Sequence, residues 1–588
     1  MTDDRTQDVA VVGSPSTNTE LTIDLLQEAT EERLVGALAA FEAVQNGRPI
    51  TSVGQVVGIE LRNRWHEDSV FRNLVKRTGE IPPITNRQDT RTADLVVGAT
   101  FKQTAGGHEP EVLGMVPPTG TRIFRVDQPL LNRLLSAYRD EIVYLGQAYA
   151  NAVLYPMWFK HFGSAEDGPG GAGEAYHLGV FGKTGSGKSG LAKMVLCAYA
   201  RHACMGILVV DPQGEFTLEL SGTRVGQQGL PLDQVIRDQG RRINIYRISD
   251  IQLDDWQTFE EMLVALGFCE ELTITHPNNA RRAAEVARNA LERSREDGRA
   301  RFPLAEVGSP DALRLSLNAI IDEQSLSYIY PSADPRRRLQ HRVQDILANR
   351  FEEVLLNRWQ PITSLFAGGQ NRRKLYGIVS DLMGTSCEST PRPVVVIDVS
   401  ARGNQGRFWT EELERRILGR LFSILITHSA SSLSTQRSAN VLVLLDEAHR
   451  HAPSGRLDDD SEAERLRSQL RRAVRETRKY GLGWFFISQT LGGLDNEILQ
   501  QLRVLAFGFG LAMGAEFDRL RDFVGGDKRA LELYQSFRDP QSFPRRDLQE
   551  FPFMAVGPIS PLAFSGKPLF FTAFTNPTHF LDRNRPGS

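Results

Sequence analysis

The sequence predicts an α/β protein: a mainly parallel sheet with helices on both faces, preceded by a small β-barrel and interrupted by a helical insertion. Three observations carry this. From Tyr176 onward, apolar runs of strand length alternate with helical stretches, the pattern of strands buried on both faces. Between residues 52 and 126, short β-like runs are separated by turn residues, as in a small barrel. Between the third and fourth apolar runs lies a long stretch, residues 251–385, with helical rather than strand spacing. With 588 residues, 41% hydrophobic and 24% charged, the chain has material for two or three cores and is not disordered in general.

Taken in order, residues 1–20 are polar and patternless and read as a flexible tail. The expected barrel domain spans 21–160. It opens with helical spacing from Leu21 to Asn46, followed by strands at Ser52–Leu61, Ala93–Thr100, Val112–Val116 and Thr121–Val126. A helical stretch, Leu130–Tyr149, and a strand, Leu154–Phe162, complete it, and the glycine-rich segment Gly163–Gly173 reads as a loop. The α/β core is expected at 176–250 and 386–534. Its strands are His177–Phe181, Gly206–Asp211, Ile243–Ile248, Val394–Val399, Val441–Asp446, Trp484–Ser488 and Val504–Phe509. The 251–385 insertion holds helices at Glu260–Phe268 and Asn279–Ser294 and the basic run Arg336-Arg337-Arg338. The Pro- and Phe-rich end, 535–588, contains one more strand, Leu569–Phe574.

Bulk properties exclude little. A net charge of -3 means that nucleic-acid binding would rest on local Lys and Arg clusters and not on a basic whole-protein field. The four cysteines, Cys197, Cys204, Cys269 and Cys387, lack zinc-site pairing and are too few for a disulfide framework, which suits a reducing cytosol. No apolar run is long enough to cross a bilayer and no signal peptide is visible, so a cytoplasmic protein without a membrane anchor is expected.

The chemistry begins at Gly182-Lys183-Thr184-Gly185-Ser186-Gly187-Lys188-Ser189, a G-x-x-x-x-G-K-S loop between an apolar strand and a helix. Its glycines let backbone N–H groups face a phosphate chain. Lys188 would neutralise the β and γ oxygens, and the Ser189 hydroxyl would meet Mg²⁺. The ligand expected is therefore ATP with Mg²⁺. A second strand, Val441–Leu445, runs into Asp446-Glu447: Asp446 on the metal side, Glu447 placed to orient or deprotonate the attacking water. An isolated acid at a strand end is often merely solvated, but an acidic pair after five apolar residues in a chain carrying this loop points to a hydrolase.

Gln489, after Trp484–Ser488, can sense a γ-phosphate because an amide both donates and accepts. A polar residue at a strand end has a structural explanation too, as does Asp211 in the turn after Gly206–Val210. Glu462–Lys479 is an amphipathic helix with Arg467, Arg471, Arg475 and Arg478 along one ridge. Such a run is usually a solvated face; as a functional reading, Arg478, and after it Arg475, is the candidate to reach a neighbouring subunit's γ-phosphate.

Together these residues resemble the HerA/FtsK class of hexameric DNA-pumping ATPases, and HerA most closely. The resemblance rests on His177-Leu-Gly-Val-Phe-Gly-Lys-Thr-Gly-Ser-Gly-Lys-Ser189, Val210-Asp-Pro-Gln-Gly-Glu-Phe216, Leu445-Asp-Glu-Ala-His449, Arg475-Glu-Thr-Arg-Lys-Tyr-Gly481 and Ile487-Ser-Gln489. It implies a RecA-like P-loop core with an N-terminal barrel and a homohexameric ring with nucleotide at each interface. It also implies double-stranded DNA in the channel, a C-terminal segment bracing the adjacent subunit, and a separate nuclease or other effector, as in DNA-end processing or anti-phage defence. No nuclease motif is present in the chain itself, and the insertion has no assignable motif.

The leading expectation is an ATP-driven translocase or helicase, with pore loops near Arg224 or Asn371-Arg372-Arg373-Lys374. The alternative is an ATP-gated ring scaffold that assembles and regulates an effector enzyme. A conjugation or secretion ATPase, lacking its membrane anchor here, is a third reading.

Overall fold

The computed structural model describes residues 7–79, 88–164, 170–224, 229–292, 301–369, 372–384, 390–404, 410–434, 437–459, 461–563 and 566–585. Asn371 of the second pore-loop candidate, residues 165–169 of the glycine-rich segment, Cys387 and residues 1–6 of the expected tail lie outside them.

Seven strands come first: β1 (Asp8–Ser16), β2 (Glu20–Leu25), β3 (Leu38–Gln45), β4 (Arg48–Asn63), β5 (Asp89–Thr104), β6 (Gly107–Glu111) and β7 (Arg122–Arg125). Six of them, in the order β2-β1-β7-β3-β4-β5, close into a barrel because β2 also pairs with β5; β6 adds to the outside of β5. Closure leaves few open edges. In β2, Leu21 and Ile23 are buried while Glu20, Thr22 and Asp24 alternate with them on the other side.

Several expectations need correction here. The polar start is no tail: residues 8–16 form β1 inside the barrel. The stretch read as helical, Leu21–Asn46, holds β2 and β3, since Leu21-Thr-Ile-Asp-Leu has period two and the helical reading averaged across the turn between the strands. The strand expected at 112–116 lies at 107–111. In the stretch read as helix from Leu130 to Tyr149, only Gln128–Leu134 forms an α-helix, and strand β8 (Ile142–Ala148) follows. With β9 (Leu154–Trp158), β8 joins the second sheet, so the barrel ends at β7 and does not reach residue 160.

The second sheet has eleven strands. Beside β8 and β9 it contains β10 (Leu178–Phe181), β11 (Gly206–Asp211) and β12 (Ile243–Arg247). A separate two-strand pair, β13 (Ile251–Gln252) and β14 (Arg373–Lys374), ties the two ends of the insertion together. The large sheet continues with β15 (Val394–Asp398), β16 (Val441–Leu445), β17 (Leu482–Ser488), β18 (Val504–Gly508), β19 (Phe551–Val556) and β20 (Leu569–Ala573). Its order is β12-β15-β11-β16-β17-β10-β18-β19-β20-β8-β9. The first seven are parallel, and the last four antiparallel. Every residue of β11, β15, β16, β17 and β18 is buried, which is why these runs read as continuously apolar.

The insertion packs its helices, among them Trp256–Ala265, Pro277–Glu292 and Pro310–Ile320, around Trp359. The indole N–H donates to the Val307 carbonyl at 2.7 Å; Phe259 meets the ring edge-to-face and Phe268 at a tilt.

The segment 535–588, expected to brace a neighbour, is built largely into its own chain: β19 and β20 bridge β18 to β8. It also meets the barrel, where the Gln55 side chain and the Phe570 backbone exchange two hydrogen bonds of 2.7 and 2.8 Å. Arg529 adds an ion pair to Asp94 at 2.8 Å and a second to Glu60. Cys197 and Cys269 are free and buried, whereas Cys204 is disulfide-bonded. Among the described residues, no helix is long and apolar enough to cross a membrane.

Candidate active site

The parallel strands all end at one edge of the sheet, and their ends collect there the phosphate loop, Asp211, Asp446, Glu447 and Gln489. Strand β10 runs directly into Gly182–Ser189, and the helix Lys188–Ala200 leaves it. Gly182, Gly185 and Gly187 have φ of +153°, +84° and +88°, conformations that side-chain-bearing residues rarely adopt. Lys188 is 8% exposed and has no carboxylate within ion-pair distance among the described residues; its Nζ donates only weakly to the Lys183 carbonyl, at 3.4 Å. Burial holds its pKa below the ordinary value, an effect opposed by Glu447, Asp446 and Glu215. The Ser186 hydroxyl is likewise buried without a hydrogen-bond partner. A buried ammonium beside a glycine cradle at the cleft fits a polyphosphate well.

The acids stand two strands away. Asp446 is buried and its carboxyl is pushed up to about 7, first by desolvation and then by the neighbouring charges of Glu447 and Asp211. That crowding suits a divalent cation. Among the described residues no cluster of three or more His, Cys, Asp or Glu side chains is placed to hold a metal. Asp211 is occupied otherwise: its carboxylate accepts from the backbone N–H groups of Gly214 and Thr217, at 2.8 and 2.7 Å, and shapes the turn after β11.

Glu447 has a left-handed backbone, φ +44° and ψ +47°, which is uncommon for a residue with a side chain and is typical of strained functional turns. One carboxylate oxygen, Oε1, is held by two amides, while Oε2 is buried without a hydrogen-bond partner and has only His449 near it. Gln489 Nε2 donates to Oε1 at 2.6 Å, Gln213 Nε2 donates to the same oxygen at 3.0 Å, and His449 Nδ1 lies 3.4 Å from Oε2. The Gln489 oxygen in turn accepts from Thr184 Oγ1 at 3.0 Å, which joins the acidic strand to the phosphate loop. Gln213 was not foreseen as a site residue, although it sits in the Asp-Pro-Gln-Gly-Glu-Phe run at the end of β11.

The arginine ridge divides. Arg467 donates to the Pro453 carbonyl at 2.8 Å and pairs with Glu464; Arg471 pairs with Asp495 at 2.6 Å. These two hold the helix Glu462–Glu476 in place. Arg475 and Arg478 are more than half exposed, with Arg475 3.4 Å from Glu497 and Arg478 2.5 Å from Glu174. Arg478 precedes β17 and Glu174 precedes β10, so the pair lies at the sheet edge opposite the phosphate loop, roughly 20 Å away across a seven-residue strand. Arg478 therefore does not serve the nucleotide site of its own chain.

An open cleft of about 860 Å³ runs over the loop, and Lys188, Ser189, Gln213, Glu447 and Gln489 all line it. Residues 175–400 match the family model "Helicase HerA, central domain". No curated protein matches the chain. Among solved structures, VirB4 of Thermoanaerobacter pseudethanolicus aligns at 14% identity over 74% of this chain and 96% of its own, with a TM-score of 0.37. The bacterial conjugative coupling protein TrwBdeltaN70 aligns at 13% identity over 77% of this chain and 92% of its own, TM-score 0.38. The genome packaging NTPase B204 from Sulfolobus turreted icosahedral virus 2, in complex with AMPPCP, aligns at 10% identity over 68% and 98%, TM-score 0.27.

Proposed function

We propose that the chain, whose residues 175–400 match the HerA central-domain family model, is a P-loop ATPase of the HerA/FtsK type and works as an ATP-driven double-stranded DNA translocase in a homohexameric ring. The observation that carries the hydrolytic part is the hydrogen-bonded chain Gln213–Glu447–Gln489–Thr184. It presents a carboxylate oxygen from the acidic strand to the space over the phosphate loop, as activation of water within one subunit needs. In this reading Gly182–Ser189 holds the triphosphate, Lys188 neutralises it, and Ser189 and Asp446 hold Mg²⁺. Glu447 activates water and Gln489 reports the γ-phosphate.

The ring is supported by Arg478. It is exposed at the far edge of the sheet, out of reach of its own nucleotide, where it can complete the site of the next subunit. A separate nuclease or other effector would use the motor, in DNA-end processing or anti-phage defence. ATPase assays with and without duplex DNA, paired with negative-stain imaging of the ATP-bound protein, test this together. Six-fold rings and DNA-stimulated turnover are expected. Turnover indifferent to DNA but dependent on a bound effector would replace the motor with an ATP-gated scaffold. Duplex affinity should also fall steeply with salt, because phosphate contacts release counterions.

A further inference from the structure

The cleft continues beyond the phosphate loop, and its far wall comes from the C-terminal part of the same chain. In the sheet order β16-β17-β10-β18-β19-β20, Glu447 and Gln489 stand on one side of the loop, and β19 and β20 on the other. Strand β19 is antiparallel to β18, with Phe553 opposite Gly508, so Phe551 projects past the end of β18 at the same edge as the loop. Phe551 pairs with Ala573 across β20, which brings Thr575 to that edge as well. Both line the cleft, with Gln541, Arg546 and Gln549 from the connection before β19.

These residues lie against the loop itself. A Cβ on Gly187 would stand 2.7 Å from the Phe551 ring, and one on Gly185 would stand 2.4 Å from Gln541 Nε2. A triphosphate whose terminal phosphate faces Glu447 must send its nucleoside in the opposite direction, over Gly187 and toward Phe551. What meets it there is a half-buried aromatic ring bordered by amide and hydroxyl groups, the combination that holds a flat base: an apolar face and hydrogen-bonding groups at the rim.

We propose that residues 541–551 and Thr575 form the nucleoside half of the nucleotide site, with Phe551 packing on a purine base and Gln549 and Thr575 bonding its edge or the ribose. The inference rests on the ATPase reading above. It assigns to the chain's own C-terminal segment the selection between a nucleotide and a bare polyphosphate.

The test is calorimetric titration of the full chain, with Mg²⁺, against ATP and against inorganic tripolyphosphate. Phe551→Ala should weaken ATP about tenfold, the scale of a lost base–aromatic contact, and leave tripolyphosphate unchanged; Phe551→Trp should restore ATP. Because Phe551 also packs on the loop, Gln549→Ala serves as a second variant, with ATP weakened about threefold and tripolyphosphate again unchanged. Unaltered ATP affinity in both variants, or parallel loss of both ligands, overturns the proposal. Lys188→Ala addresses the underlying reading separately: it should lose both ligands, and if it keeps both, the loop is not the phosphate site whatever Phe551 does.

Discussion

Gln489 donates its side-chain amide N–H to Glu447 Oε1 at 2.6 Å, and this single bond couples the strand that carries the acid to the strand beside the phosphate loop. The same amide accepts from Thr184, so a change at the loop is felt at the carboxylate through one side chain. An amide suits this position because it can exchange a carboxylate acceptor for a phosphate oxygen without changing charge.

Glu447→Gln keeps the shape and most hydrogen bonds of the cluster but removes the basic oxygen. ATP affinity should stay within about twofold while kcat falls at least about a hundredfold, the scale of a lost general base. Fluorescent-nucleotide binding and steady-state turnover measure the two. Equal losses in binding and kcat would sink the assignment of Glu447 as base.

Arg478→Ala should leave ATP binding and particle assembly unchanged and lower hydrolysis by about a thousandfold, because the residue lies at the sheet edge away from its own loop. Mixing experiments sharpen this. A Lys188→Ala chain that retains Arg478 should partly restore turnover when mixed into Arg478→Ala rings, since each supplies what the other lacks across an interface. If Arg478→Ala alone hydrolyses at the normal rate, the trans-acting arginine lies elsewhere, with Arg475 the next to substitute.

The seven parallel strands and the residues at their ends were legible in the sequence for one physical reason. Strands buried on both faces, all of the seven but the edge strand β12, are largely apolar, and the polar residue that ends such a run stands out, as Asp446 does after Val441–Leu445. The barrel was legible only in its middle. Leu21–Leu25 alternates but is only five residues long, and Leu38–Phe41 is buried throughout, so averaging across the turn between the two strands masked the strand spacing. Phe551 and Gln541 left no local signal, because what makes them part of the cleft is a contact with Gly185 and Gly187, more than 350 residues earlier in the chain. The split of the arginine ridge into Arg467 and Arg471, held by Glu464 and Asp495, and the freer Arg475 and Arg478 likewise depends on partners that helical spacing does not name.

Lys193 is buried between two carboxylates, with Nζ 2.9 Å from Glu219 and 2.6 Å from Glu215. Glu219 is almost wholly enclosed and its second oxygen has no hydrogen-bond partner, so it depends on that ammonium. Lys193→Met should therefore destabilise by about 3–5 kcal/mol, the cost of leaving a buried charge uncompensated. Lys193→Met combined with Glu219→Gln should recover much of that, because the stranded charge is gone. Urea denaturation of the two variants decides. A double variant less stable than the single would show that the pair contributes more than the mutual dependence of its charges.

Glu414 and His451 form a second buried couple, 3.7 Å apart, just after the turn that carries Glu447. Desolvation, reinforced by Glu411 and opposed by Arg450 and Arg415, pushes the Glu414 carboxyl from 4.5 to about 7. Burial, with Arg450, Arg415 and His449 adding to it, lowers the imidazole to about 3. The folded state thus binds more protons at Glu414 than the unfolded chain does between pH 4.5 and about 7, so this group's contribution is full below 4.5 and is lost as pH rises to 7, a change of about 3 kcal/mol. His451 acts with the opposite sign: between about pH 3 and 6.5 the unfolded chain binds the extra proton, and stability rises with pH. Across the overlap the two slopes largely cancel, which hides both in the parent protein. Glu414→Gln removes one of them. Its melting temperature should rise between pH 5 and 6.5 more steeply than that of the parent, and the variant should gain on the parent most at pH 7 and above. Thermal melts from pH 5 to 8 measure this, and parallel pH profiles for the two proteins would show that Glu414 does not titrate in this range.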